Sequence, residues 1–279
     1  MNMKMVITIV LLAFVGIAAQ TQTIVKGHVI NEQGAGVGYV SIGIEEDSVG
    51  VISDAEGYFT LTVPSGRKDE LTVTHVSYQT ATIPYASYAD GRELTVTLRD
   101  KSVELAEVIV DGKKNKPQTL SGKSWISVGK AAFEGDSKGD LEWGPIFKKK
   151  KDYLLTDIIV SIDKCEYEEC LLSFNCYEVR DKVFVNVLNK PIYKCVTPAD
   201  NGKQITISPA ESIVLKGKKK YCVTISVVDI KGKGRLSFPA NFKSSYARHK
   251  VKGKMRKIPG CPIIIVKGYE VNKKTNEAS

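Results

Sequence analysis

His28, His75 and His249 are the only imidazoles in the 279-residue chain, and their neighbours decide what they can do. A catalytic zinc site needs three protein ligands and one open position, which a peptidase supplies with a His-x-x-Glu pair and a distant third residue. Asn31, Tyr78 and Lys252 stand three places after the three histidines, so no such pair exists. Gly135-Asp136-Ser137-Lys138-Gly139 has the spacing of a nucleophile elbow. That elbow works at a strand-to-helix turn, with an acid and a histidine following in order. Here polar residues precede it and only His249 follows, so the segment reads as a loop. Gly122-Lys123-Ser124 ends like a phosphate-binding loop, but Pro117 stands where the first glycine is required. Asp54 and Glu56 are too few oxygen ligands for a calcium cage. No catalytic, cofactor-binding or metal-ligating residue is assigned, and the expectation is a protein that is not an enzyme and needs no cofactor.

Six cysteines, Cys165, Cys170, Cys176, Cys195, Cys222 and Cys261, all lie in the second half. An even number suggests disulfides if the chain is exported. Free apolar thiols are the alternative, because the stretches around Cys176 and Cys222 look buried. Cys165-x4-Cys170 is poor zinc spacing. Trp125, Trp143, Tyr153 and Tyr246 could stack on sugars, with core packing as the competing role.

Basic runs are the strongest pointer to a partner. Lys148, Lys149, Lys150 and Lys151 form one, Lys218, Lys219 and Lys220 a second, and Arg248, Lys250, Lys252, Lys254, Arg256 and Lys257 a third. Placed in loops at the rim of a sheet, they would create a cationic surface for an anionic envelope component or a partner protein. Lipopolysaccharide, acidic phospholipid, acidic glycan and acidic protein all qualify. Peripheral membrane contact is compatible, and nucleic acid is not expected of an exported chain. Solvated loops that protect strand edges are the bland alternative.

The charge is divided. The chain carries 40 Lys and Arg against 31 Asp and Glu, for a net +9. Residues 24–111 hold 6 basic and 14 acidic side chains, a net −8, and residues 112–279 hold 33 and 17, a net +16. This change of sign suggests two separately built units, with the acidic one free to dock on the basic one. With 43% hydrophobic and 25% charged residues, the chain is neither disordered nor fibrous.

Residues 1–19 have the parts of a signal peptide: Lys4, an apolar run from Met5 to Val15, and small residues Gly16 to Ala19 before the cleavage point. The run is shorter than the roughly 20 residues a membrane helix needs. The expected localisation is the periplasm or outer membrane of a gram-negative bacterium.

Short strands with turn residues between them follow. Ile24–Ile30, Tyr39–Ile44, Val49–Ile52, Tyr58–Val63, Leu71–Val76 and Leu94–Leu98 are β-branched or alternate with period two, which argues for a β-sandwich. Asp54 and Gly57 are structural turn residues: Asp54 can cap the turn with its side chain and Gly57 can take a positive φ. Val25-Lys26-Gly27-His28-Val29, the stretch Ser53 to Leu61, and Leu71 to Tyr78 together resemble the carboxypeptidase-like regulatory domain, and Leu105-Ala106-Glu107-Val108-Ile109-Val110 resembles its usual end. The resemblance implies a seven-stranded, transthyretin-like sandwich. Family members also precede the plug of TonB-dependent receptors; this chain is expected not to be one, since it stops short of a barrel.

The second half offers strand candidates at Tyr153–Ile162, Leu171–Tyr177, Val183–Val187, Gln204–Ile207, Tyr221–Val228 and Ile263–Val266, with one helical turn at Pro209–Ser212. It resembles poorly characterised β-domains found after such modules. The expectation is therefore an all-β chain: signal peptide 1–19, regulatory domain 24–111, linker 112–122, a larger jelly-roll-like sandwich over 123–272, and a polar tail 273–279. Its expected role is a scaffold joined to a basic binding domain. The alternatives are an accessory subunit or divergent enzyme acting on peptide or glycan, and an assembly protein that pairs through strand edges.

Overall fold

The computed structural model describes residues 22–101, 116–122, 127–135, 138–139 and 141–271. The signal peptide, Leu105–Val110, Trp125, Ser137 and the polar tail lie outside these. The described chain is all-β, with two single turns of 3-10 helix at Tyr85–Ser87 and Pro198–Asp200.

Seven strands build the first body: β1 (Thr23–Asn31), β2 (Ser41–Gly43), β3 (Gly50–Ile52), β4 (Tyr58–Val63), β5 (Leu71–Thr74), β6 (Ala81–Ile83) and β7 (Leu94–Leu98). They form a sheet ordered β4-β1-β7 and a second ordered β3-β2-β5-β6. Only β1 and β7 run parallel within these sheets. In β4, Phe59, Leu61 and Val63 point inward while Tyr58, Thr60 and Thr62 face out, as the two-residue period of a half-buried strand requires. Val25, Val29, Ile42, Leu71 and Val73 complete a core separate from that of the second body.

The second body begins with β8 (Gln118–Ser121), inside the segment read as a linker, then β9 (Gly129–Glu134), β10 (Leu141–Lys148), β11 (Tyr153–Ser161) and β12 (Lys164–Cys165). It continues with β13 (Glu169–Arg180), β14 (Val183–Asn186), β15 (Ile192–Val196), β16 (Gln204–Ile207), β17 (Ile213–Leu215) and β18 (Lys220–Lys231). It closes with β19 (Arg235–Asn241), β20 (Ser245–His249), β21 (Arg256–Ile258), β22 (Cys261–Pro262) and β23 (Ile264–Glu270). Pro209–Ser212 is irregular and not helical. Glu211 explains the local shape, accepting the backbone N–H groups of Asn189 and Lys190 at 2.7 and 3.0 Å.

Sheets of seven, five and four strands enclose the second core. The seven-stranded sheet runs β14-β13-β18-β10-β20-β21, with β15 also paired to β13. Its inner face is apolar: Leu172, Phe174 and Cys176 on β13, and Val223, Ile225 and Val227 on β18. Its outer face carries Ser173, Asn175 and Tyr177 on β13, and Thr224 and Ser226 on β18. These polar residues are nonetheless buried or half-buried, and Ser173, Asn175, Tyr177 and Ser226 line a cleft that the first body closes from the other side.

Candidate functional site

Two of the three basic runs meet. Lys148 ends β10 directly opposite Lys220, which begins β18. Lys218 N–H donates to the Lys149 carbonyl at 2.7 Å. Gly217 lies so close to the 150–151 backbone that a Cβ there would stand 2.5 Å from the Lys150 oxygen. Lysines 148, 149, 150, 151, 216, 218, 219 and 220 therefore occupy one end of the second body. Some are neutralised: Lys151 pairs with Glu270 at 2.5 Å, Lys219 with Glu178 at 2.9 Å and Lys216 with Asp152 at 3.5 Å. Lys148, Lys150, Lys218 and Lys220 are exposed and have no carboxylate partner among the described residues. Like charges directly opposite on paired strands are destabilising, so the Lys148–Lys220 pair costs stability where it stands.

The third run behaves differently. It was expected as an exposed loop, but it forms the β20–β21 hairpin, with Ala247 paired to Arg256 and Tyr246 to Lys257. Arg248 points onto the covered outer face. Its Nε and Nη2 both donate to Glu142 Oε2 at 2.6 Å. The other Glu142 oxygen accepts from Thr224 Oγ1 at 2.5 Å, Tyr177 Oη at 2.8 Å and Asn175 Nδ2 at 3.1 Å. Burial opposes the charge on Arg248, but the Glu142 carboxylate outweighs it and the guanidinium stays protonated. Burial and then Glu142 hold the Tyr177 phenol well above its ordinary range.

The hairpin tip reaches the first body. Lys252 is only 2% exposed and donates to Thr74 Oγ1 at 2.8 Å, with Glu45 at 3.5 Å. Lys254 pairs with Glu46 at 3.0 Å, and Glu46 and Gly253 form a parallel backbone bridge. Burial, aided by the charge of Arg248, lowers Lys252 to about 8 despite Glu45. Arg248 and Lys252 are thus inside the molecule and not on an open cationic face. Lys254 meets the acidic body, and Lys250 also has an interaction. Arg256 and Lys257 stay exposed on an edge strand, where charge blunts unwanted strand pairing.

Between the bodies lies a cleft of about 600 Å³. Tyr39, Thr74 and His75 line it from one side, and Asn175, Asn186 and Tyr193 from the other. Tyr39 meets Tyr193 edge-on with ring centroids 5.3 Å apart. Desolvation lowers His75 to about 4, so it is a neutral imidazole at physiological pH.

The turn before β4 is built by Asp54 and Gly57. Asp54 Oδ1 accepts the Glu56 and Tyr58 N–H groups at 3.1 and 2.7 Å. Gly57 adopts φ 94°, and a Cβ there would stand 2.4 Å from the Val29 carbonyl oxygen. Asp-x-x-Gly is thus a folding device, and its carboxylate is occupied by backbone amides. Residues 25–110 match the family model of the CarboxypepD_reg-like domain. No curated protein matches the chain. Among solved structures, the cysteine protease and lectin-like domains of Cwp84, a surface layer associated protein of Clostridium difficile, align over 80% of this chain at 9% identity, with a TM-score of 0.38. The infectious bursal disease virus VP2 subviral particle aligns over 84% at 9% identity, with a TM-score of 0.26. The chain spans 45% of the length of the first and 62% of the second.

The part of the chain that matches this family model supplies Glu45, Glu46 and Thr74 to the docked hairpin. All six cysteines of the second body are free thiols, and all but Cys195 are buried. Desolvation pushes Cys170, Cys176 and Cys261 up to about 12. Among the described residues, no group of His, Cys, Asp and Glu could hold a metal ion. Trp143 Nε1 donates to Ser245 Oγ at 2.5 Å; Tyr153 Oη donates to Gln118 Oε1 at 3.0 Å, and its ring lies in the second core. Sequence reading missed Glu142, Asn175, Tyr177 and Thr224. The signal was present in the alternation of polar with apolar residues along Leu172–Tyr177 and Val223–Val227.

Proposed function

We propose that the protein is an exported, non-enzymatic component of a gram-negative cell envelope. The CarboxypepD_reg-like domain is its scaffold, and the lysine-rich end of the second body binds an anionic envelope component. The observation that carries this reading is the convergence of two lysine runs into one patch with Lys148, Lys150, Lys218 and Lys220 unpaired. A fold under no other demand would separate or neutralise Lys148 and Lys220, which face each other across a strand pair. The role of scaffold is supported by the contact of Lys252 and Lys254 with Glu45 and Glu46, which joins the basic body to the acidic one and leaves the far end of the basic body free. Export is supported by the composition of residues 1–19.

The test is retention on an immobilised polyanion such as heparin. Replacing Lys148, Lys150, Lys218 and Lys220 with Gln should lower the salt concentration needed for elution well below that of the wild type. A second variant, Arg256→Gln with Lys257→Gln, removes two exposed cations from an edge strand outside the two converging runs and should elute close to the wild type. Equal loss in both variants would reduce the patch to a contribution of net charge and remove the reading.

A further inference from the structure

The turn between β19 and β20 carries the most exposed large apolar side chain among the described residues, Phe242, at 83%. The turn is held by Asn241, whose side-chain oxygen accepts the Lys243 N–H at 2.9 Å. Beside it lies Val128, 47% exposed, whose N–H donates to the Ala240 carbonyl at 3.0 Å. Isolated exposed apolar residues are common; the position of this one is what matters. Pro145 pairs with Ser245. Phe242 precedes Ser245 by three residues and Lys149 follows Pro145 by four, so both lie beyond the same end of the β10–β20 pair. Lys149 and Lys243 also line one cleft of about 250 Å³, together with Leu120, Pro145 and Phe147. The apolar tip therefore projects at the lysine-rich end.

A phenyl group projecting at a lysine-rich end suits a bilayer interface, which offers negative headgroups and, beneath them, acyl chains. A soluble acidic glycan or peptide offers only the charge. We propose that this end of the protein rests on a membrane containing acidic phospholipid, with Phe242 entering the boundary between headgroups and acyl chains while the lysines engage phosphates. The inference rests on the cationic-surface reading above and adds to it the source of the negative charge.

The experiment compares binding to vesicles of phosphatidylglycerol with phosphatidylcholine, to vesicles of phosphatidylcholine alone, and to soluble heparin. Any contribution of the apolar run from Met5 to Val15 is common to the wild type and the Phe242 variants. Phe242→Ala should weaken binding to the acidic vesicles by about tenfold, the lower end of what burying a phenyl side chain yields, and leave heparin binding unchanged. Phe242→Trp should show a blue-shifted emission on acidic vesicles and be quenched by brominated acyl chains. Since Phe242 makes almost no contact with the protein, both variants should fold as the wild type does. If heparin binds but Phe242→Ala holds acidic vesicles as tightly as the wild type, or the tryptophan emission does not move, the membrane inference is overturned and the cationic reading survives. If neither heparin nor acidic vesicles bind, both fall.

Discussion

Replacing Glu142 with Gln should destabilise the second body severely. Glu142 joins β10 to β20 through Arg248, and the two side chains are only 7% and 21% exposed. The amide keeps the shape of the carboxylate but removes its charge. Arg248 is then left covered on the outer face of the sheet, with Glu45 as its remaining acidic neighbour. Removing one member of a buried ion pair costs about 3–5 kcal/mol, because the other charge stays desolvated without compensation. For a body of this size about 1 kcal/mol corresponds to roughly 2–4 °C in Tm, so the expected loss is about 6–20 °C. Thermal unfolding followed by circular dichroism reads it directly. The decisive companion is the double variant Glu142→Gln with Arg248→Met, which removes the stranded charge as well. It should be less destabilised than the sum of the two single variants by more than 1 kcal/mol, a coupling expected for groups in contact. A fall in Tm below about 2 °C for Glu142→Gln, or strict additivity in the double variant, would refute the view that a desolvated pair fixes the hairpin.

Other expectations concern pH. The folded His75 has its pKa lowered from 6.5 to about 4 by burial, so between these values the unfolded chain binds more protons. Its contribution to stability is complete above pH 6.5 and is lost as the pH falls towards 4, about 3 kcal/mol in all. His75→Gln should flatten that part of a urea-unfolding profile, and an unchanged acid limb would contradict the assignment. Lys252 has its pKa lowered from 10.5 to about 8, so its buried charge costs stability below pH 8, and that cost fades as the pH rises towards 10.5. The wild type should therefore gain about 3 kcal/mol relative to Lys252→Met across this range. The buried thiols push the opposite way in both proteins and cancel in the difference. A flat difference would show that Lys252 is better solvated than its position implies.

Much of the fold was legible where one face of a strand is apolar and its ends are punctuated. Tyr58–Val63 alternates strictly and follows Gly57, and Gln204–Ile207 is bounded by Gly202 and Pro209; both were read at their observed limits. Leu141–Lys148 was not read, because Gly144 and Pro145 interrupt it. The structure shows why they are tolerated. A Cβ at Gly144 would stand 1.9 Å from the Val223 oxygen, and the ladder to β18 skips from Trp143 to Ile146, so the missing proline N–H falls at a break. Of the candidate site, the lysines were legible as cations but not as neighbours. Lys148 and Lys220 meet only because β10 pairs with β18. Arg248 was read as part of a cationic surface for an anionic partner, since nothing near it in sequence announces Glu142, 106 residues away. Long-range pairing of this kind leaves no local trace beyond the polar alternation on β13 and β18.

The central claim is that four unpaired lysines form one anion-binding patch. Near a negative surface each is worth about 1 kcal/mol, so removing all four should weaken affinity by about a thousandfold at low salt. Screening lengths shrink from about 10 Å at 0.1 M to about 3 Å at 1 M salt, so high salt should erase most of the difference. The most direct measurement is the dissociation constant of heparin for the wild type and for the variant with Lys148, Lys150, Lys218 and Lys220 changed to Gln, each at low and high ionic strength. The account predicts a large gap that closes as salt rises; equal affinities at low salt, or a gap indifferent to salt, would contradict it.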